Sequence, residues 1–170
     1  MADVDAEDVV EVVAFLEGPG VEVWLDGGWG VDALLGRQTR PHGDLDVVVP
    51  LGDMTRVQAA LLRRGYLLVR GGAPLSFKMA DGGGRQVDVH SVSFNRSGEG
   101  LFEMENGDEW LCPAAGFEGV GEVFGRGVTC LSPDARVQRL WRSGYELDQV
   151  HIDDLTALSE RFGTPVFAEK

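Results

Sequence analysis

The sequence predicts an α/β (α+β) fold: a compact core with a mixed β-sheet flanked by helices, followed by a small C-terminal helical part. Three observations carry this. The elements read in the order helix, strand, helix, strand, helix, then several strands, then helices, which is the pattern of a layered α/β unit. The 170 residues fit one domain, or one domain with a small appendage. Hydrophobic residues make up 44% of the chain, enough to fill a core at this size. The expected division is a core over 1–96 and a second part over 97–170, which packs on the core and contributes to an acceptor site.

Over 5–17, Val9, Val10, Val12, Val13 and Leu16 recur at helical spacing, and Gly18-Pro19-Gly20 ends the helix. Residues 21–25 alternate as a strand. Asp26-Gly27-Gly28 leads into an apolar helical stretch over 29–35, closed by Gly36. A strand over 44–49 ends at Pro50. A helix over 53–64 carries Val57, Ala60 and Leu61 on one face and stops at Gly65. Strands are expected over 66–69 and 75–79. The turn at 81–85 then returns the chain as Gln86-Val87-Asp88-Val89-His90, a clean alternation and the second strand of a hairpin. The glycine- and acid-rich segment 97–127 reads as a loop-dominated connection with short strands near Leu101 and Val120, and a strand follows over 128–131. Ser132-Pro133-Asp134 opens a helix to about residue 143. A last helix is expected over 152–161, with Asp153 and Asp154 in its first turn and Gly163 at its end.

The formal net charge is −13, with Lys78 and Lys170 the only lysines. Such a chain repels phosphate backbones, which excludes non-specific nucleic-acid binding, and it attracts cations. The acids form either a solvated surface that aids solubility or a cleft for a polycationic small molecule. No apolar run approaches the ~20 residues of a membrane span. The N-terminus is acidic, with no basic region ahead of an apolar stretch, so the expectation is a cytoplasmic protein. Cys112 and Cys130 make no disulfide framework and read as two ordinary half-buried thiols.

The chemistry concentrates in "GGWGVDALLGRQTRPHGDLDVVVP". On a strand, residues i and i+2 share a face, so Asp44 and Asp46 project side by side. Two carboxylates at the mouth of an apolar strand repel each other unless a cation lies between them, and Mg²⁺, which takes carboxylates together with substrate phosphates, suits that place. The plainer alternative makes Asp44 a turn residue. Gly27-Gly28 ends a strand and opens a helix, which lets a phosphate approach the backbone and meet the helix N-terminus, although a double glycine also serves as a tight turn. Arg37, Arg40 and His42 supply cationic donors for phosphate or else surface ion pairs. Asp88 and His90 share one face of their strand, Val87 and Val89 the other. If Asp88 faces Asp44 and Asp46, three carboxylates can hold two metal ions and Asp88 can take a proton from a hydroxyl. If it faces solvent it does neither.

Gly27-Gly28, Asp44-x-Asp46 and the later Asp88 together resemble the polymerase-beta-type nucleotidyltransferase superfamily. The string "LDGGWGVDALLGRQTRPHGDLDVVV", continued by "GRQVDVHSVSF" and "GRGVTCLSPDARVQRLWRSGYELDQVHIDDLTALSERFG", is similar to the small nucleotidyltransferases that act on lincosamides and aminoglycosides. The resemblance implies a nucleotidyltransferase core and an enzyme that uses Mg²⁺, as two ions, and a nucleoside triphosphate, ATP. It implies that Asp44 and Asp46 bind the metal and the phosphates, and that Asp88 completes the metal site and acts as general base. Gly27, Gly28 and Trp29 would lie along the phosphates, with Arg37, Arg40 and His42 near the triphosphate. His90, Tyr145 and Glu146 would hold the acceptor, a small molecule with a hydroxyl and an amine. A homodimer is compatible with this reading. Two alternatives stay open: an antitoxin-type protein of the same fold that modifies or binds a partner protein, and a nucleotide-binding protein without turnover. The C-terminal helical part argues against the first and the three intact aspartates against the second.

Overall fold

Residues 2–144 and 146–166 are described by the computed structural model. In chain order the elements are α1 (Ala6–Glu17), β1 (Trp24–Asp26), α2 (Gly27–Leu35), β2 (Asp44–Pro50), α3 (Met54–Arg63), β3 (Leu67–Gly71), β4 (Phe77–Ala80), β5 (Gln86–Phe94), β6 (Gly100–Glu103), β7 (Glu109–Cys112), β8 (Gly119–Val123), β9 (Arg126–Cys130), α4 (Pro133–Arg142) and α5 (Gln149–Phe162). The sheet runs β3-β4-β5-β2-β1-β9-β8. It is mixed: β2 lies parallel to β5 and β1 parallel to β9, while the other neighbours are antiparallel. The expected α/β architecture is therefore present, and β8 and β9, from the C-terminal part, extend the same sheet beside β1.

The period of two decides what each face of the sheet does. Leu25, Leu45, Val47, Val49, Val87 and Val89 point to one face and are buried with Val9, Val13 and Leu16 of α1, Trp29 of α2, and Val57 and Leu61 of α3. The other parity of β1, β2 and β5 contributes Trp24, Val48 and Val92 to a second cluster with Phe102, Met104, Trp110 and Cys112. A third cluster joins Val31 of α2 to Val137 and Leu140 of α4 and to Leu155 and Leu158 of α5. Helix α2 is thus apolar on two sides, because it is held between the sheet and the C-terminal helices.

Several boundaries fall where the chemistry of the caps placed them. Asp5 caps α1 through a reciprocal box with Asp8, Ser132 caps α4 with Pro133 behind it, and Gly36 and Gly163 close their helices in the left-handed conformation. Four expectations need correction. Strand β1 is shorter than 21–25. Val21 and Val23 are buried in the core, but the Val23 carbonyl accepts from the Thr129 hydroxyl at 2.6 Å, so their alternation reflects packing. The segment 97–127 has the expected strands at Leu101 and Val120, as β6 and β8, but carries a further strand, β7, and the start of β9. The outward β7 residues Glu109 and Leu111 are exposed while Trp110 and Cys112 are buried, the pattern of an edge hairpin with one dry face. Helix α5 begins earlier, capped by Asp148, whose side chain accepts from the His151 amide. Asp153 and Asp154 consequently lie past the first turn, and Asp154 is buried. Both cysteines are fully buried, and burial pushes their thiols up to about 11 for Cys112 and about 12 for Cys130. No described helix is long and apolar enough to cross a membrane.

Asp154 explains how α5 is fastened. Its carboxylate accepts from Arg40 at 3.0 Å, and a second Arg40 nitrogen donates to His42 Nδ1 at 2.9 Å. An arginine has no acceptor to offer, so this bond leaves the His42 proton on Nε2, which donates to Asp32 at 2.6 Å. Asp32 also takes the amide and hydroxyl of Thr39. Asp154→Asn should cost about 1.5–3 kcal/mol of unfolding free energy, the range for hydrogen bonds to charged groups. Urea denaturation checks it, and an unchanged midpoint would mean that the chain Asp154–Arg40–His42–Asp32 does not fasten α5.

Candidate active site

Cross-strand register assembles the site. Asp26 lies opposite Asp46, Asp46 opposite Asp88, Asp88 opposite Lys78, and Lys78 opposite Arg70. Directly opposed residues share a face, so one row across five strands carries three acids and then two bases. Asp44, two residues before Asp46, adds a fourth acid. A cleft of about 630 Å³ opens over this row. Its walls come from the end of β6 (Glu103, with Met104 and Glu105 beyond it), from α4 (Arg136, Arg139) and from α5 (His151).

Asp44, Asp46 and Asp88 each offer an oxygen, and these lie within 4.8 Å of one another. Burial and the charges of Asp46 and Asp88 push the Asp44 carboxyl up to about 6. Burial and Asp46 likewise raise Asp88. Lys78 approaches Asp88 at 3.4 Å and Arg70 stands at 4.0 Å. His90 Nε2 lies 3.2 Å from Asp46. An all-oxygen set of three converging carboxylates, still repelling one another with Lys78 alongside, fits a hard divalent cation. Asp26 is different. Burial alone would raise it, but Arg139 at 2.7 Å and Arg136 at 3.5 Å outweigh that and hold its carboxyl well below the usual carboxylate range.

The glycines act at close quarters with side chains. Gly27 has φ +61° and a Cβ there would lie 2.1 Å from Asp46 Oδ2, so the Asp46 carboxylate sits directly against the start of α2, where the helix dipole favours it. A Cβ on Gly28 would meet His42 and an Arg40 nitrogen at 2.5 and 2.8 Å.

Of the residues expected here from sequence, Asp44, Asp46, Asp88, His90 and Gly27 line the cleft. Gly28, Trp29, Arg37, Arg40, His42 and Glu146 do not. Trp29 is buried in the core, its indole donating to the Val4 carbonyl. Arg40 and His42 are committed to Asp154 and Asp32, Arg37 is exposed, and Glu146 is exposed between α4 and α5. Tyr145 lies outside the described residues. Sequence reasoning missed Asp26, Arg70, Lys78, Arg136 and Arg139. Lys78 was findable as one of two lysines, on the strand that returns into Asp88. The i, i+3 spacing of Arg136 and Arg139 was legible too, but not that Asp26 would be their target.

The chain is similar to known proteins. A lincosamide resistance protein of Staphylococcus haemolyticus is 28% identical over 152 residues, 89% of this chain and 92% of its own length. A 2''-aminoglycoside nucleotidyltransferase of Escherichia coli is 28% identical over 82% of this chain and 73% of its own length. Among solved structures, a lincosamide antibiotic adenylyltransferase with lincomycin bound superposes with a TM-score of 0.80 at 26% identity, covering 93% of this chain and 98% of that one. The ANT(2'')-Ia enzyme in complex with adenylyl-2''-tobramycin shares the fold at TM-score 0.75 and 19% identity, over 93% of this chain and 89% of that one. Fold, acidic triad and relatives together define a nucleotidyltransferase. The chain belongs to the aminoglycoside-2''-adenylyltransferase family, whose sequence profile it matches over residues 8–158.

Two outcomes follow from the crowding. The folded Asp44 carboxyl, at about 6, holds a proton at pH 5 that the unfolded chain, at 3.8, has largely released. The stabilisation from this group is therefore present at low pH and lost as pH rises through 6. Metal-free Asp44→Asn should melt above wild type at pH 8, with the gap narrowing below pH 6 and closed only near pH 3.8; a pH-independent gap would contradict the assigned repulsion. Gly27→Ala should displace Asp46, because the methyl group would overlap its carboxylate in a backbone conformation that suits glycine. Magnesium titration should show weakened binding, and wild-type affinity would refute that contact.

Proposed function

We propose that this protein transfers AMP from ATP to a hydroxyl of a small, amine-bearing molecule of the lincosamide type, with release of pyrophosphate. The observation that carries the reading is the convergence of Asp44, Asp46 and Asp88 on the cleft floor. These carboxylates would hold Mg²⁺, as two ions; bound there, the metal supplies the positive charge that offsets the charge of the phosphates during transfer. Asp88 takes the acceptor's hydroxyl proton, a role suited to a carboxyl whose proton affinity is raised. The hydroxyl oxygen forms its bond to the α-phosphorus as the bond to the bridging oxygen of pyrophosphate breaks. Lys78 neutralises Asp88 until the acceptor arrives. His90 steadies the Asp46 carboxylate.

The charge of the cleft bears on the acceptor. With the triad engaged by metal and Asp26 by its arginines, Glu103 and Glu105 are the acids on the lining left for an amine. That suits one or two amines better than a polycation. The lincosamide relative is also matched over more of its own length than the aminoglycoside one. Aminoglycosides are the second candidate class, and we assign the protein to the cytoplasm, acting on small molecules and without a nucleic-acid partner.

Pyrophosphate release with ATP, GTP, CTP and UTP against a panel of lincosamides and aminoglycosides tests this. The strongest turnover is expected with ATP and a lincosamide, and no release across the panel would refute the reading. Asp46→Asn should lower turnover by about 10²–10³ or more, with metal-free thermal stability unchanged or slightly higher. Activity near wild type would remove Asp46 from the proposed site.

A further inference from the structure

Helix α4 brings two arginines to one carboxylate, and the two are not used alike. Arg139 donates from Nε to Asp26 Oδ2 at 2.7 Å, reaches the Met104 sulfur at 3.7 Å, and lies over the Phe102 ring at 4.4 Å. The Arg136 side chain makes no hydrogen bond among the described residues. Its nearest partner is Asp26 Oδ1 at 3.5 Å, and both that oxygen and Arg136 Nε are buried without one. The Arg136 side chain is nevertheless only 8% exposed, and it lines the cleft. A guanidinium presents five donors in a planar fork, and the Arg136 Nε–H is buried without a partner, which is costly. One carboxylate against two guanidiniums also leaves a positive charge facing the cleft.

We propose that Arg136 seats the terminal phosphates of the nucleoside triphosphate. This rests on the nucleotidyltransfer reading above. Asp26 is the strand neighbour of Asp46, about one strand spacing, roughly 5 Å, away, so the Arg136 charge beside Asp26 stands on that side of the triad. An α-phosphate held at the triad directs the β- and γ-phosphates toward such a neighbour, and the arginine fork matches phosphate oxygens. Arg139, already occupied, holds Asp26 in place so that Arg136 is not drawn fully onto it. The seat lies on the α4 side of the cleft, away from Arg40 and His42, which are tied to Asp154 and Asp32.

Calorimetric titration of wild type, Arg136→Met and Arg136→Lys with three probes tests the proposal: Mg²⁺ with α,β-methylene-ATP, Mg²⁺ with pyrophosphate, and AMP. Arg136→Met should weaken the first two by about ten- to a hundredfold, the effect of a lost charged hydrogen bond. AMP affinity and the acceptor's KM should stay at wild-type values. Arg136→Lys, which keeps the charge and loses the fork, should fall between; if Arg136→Met does not fold, Arg136→Lys decides by the same comparison. Unchanged pyrophosphate affinity overturns the proposal. So does an equal loss for all three probes, which marks a structural role, or a raised acceptor KM with pyrophosphate affinity intact, which marks an anionic group on the acceptor. If wild type binds neither the analogue nor pyrophosphate, the nucleotidyltransfer reading falls as well. If wild type binds and turns over while the variants match it, only the role of Arg136 falls.

Discussion

Four carboxylates on one face of a sheet repel one another, and much of this structure is arranged around holding them there. Strand register imposes the crowding: β1, β2 and β5 set Asp26, Asp46 and Asp88 directly abreast, with Asp44 one pleat away. Opposite charge contains it. Lys78 lies against Asp88, Arg139 and Arg136 against Asp26, and the start of α2 against Asp46. The residual strain is concentrated at Asp44 and Asp88, whose protons are held more tightly than in an isolated carboxyl. Such a site gains most from a divalent cation, so the same electrostatics that costs stability supplies binding affinity.

Helix α2 turns this arrangement into architecture. It follows β1 without a loop, so Asp26 is both the last residue of the strand and the N-cap of the helix. Its side chain leaves the cap unmade because the arginines of α4 hold it. One turn on, Val31 packs against the C-terminal helices, and Asp32 anchors His42. The segment that leads into β2 is thereby fixed to the interior, and the position of Asp44 and Asp46 inherits that rigidity.

The fold class and the pairing of Asp44 with Asp46 were legible because both rest on periodicity, whereas Asp88 joined them only through the family resemblance. Alternation in 44–49 and 86–90 sorts the acids from the buried valines whatever the rest of the chain does. The residues expected near the phosphates were harder to place. Arg40 and His42 stand close to the carboxylates in sequence, but the chain turns them inward, where buried Asp32 and Asp154 accept them. Proximity along a loop says little about direction. The two glycines are places of close approach, and the groups found there are side chains of this chain: Asp46 at Gly27, His42 and Arg40 at Gly28. Arg136 and Arg139 escaped notice for the converse reason: their partner is more than a hundred residues away, and only the packing of α4 on α2 brings it near. β7 was missed because it is a four-residue edge strand directly after the polar turn Glu105-Asn106-Gly107-Asp108, too short for its alternation to stand out.

The β6–β7 hairpin is attached to the molecule at few points. It pairs with the last two residues of β5, buries Phe102, Trp110 and Cys112, and is held at its far end by the Arg139 contacts to Phe102 and Met104. Its tip, with Glu103 and Glu105 at the cleft, shares no backbone pairing with the strands that carry the aspartates. Natural variation can therefore rewrite the tip in length, charge and shape while the dry face of the hairpin stays constant. A lineage built on this scaffold can reshape one wall of the cleft by exchanging one short exposed segment, while the strands that carry the aspartates stay unaltered.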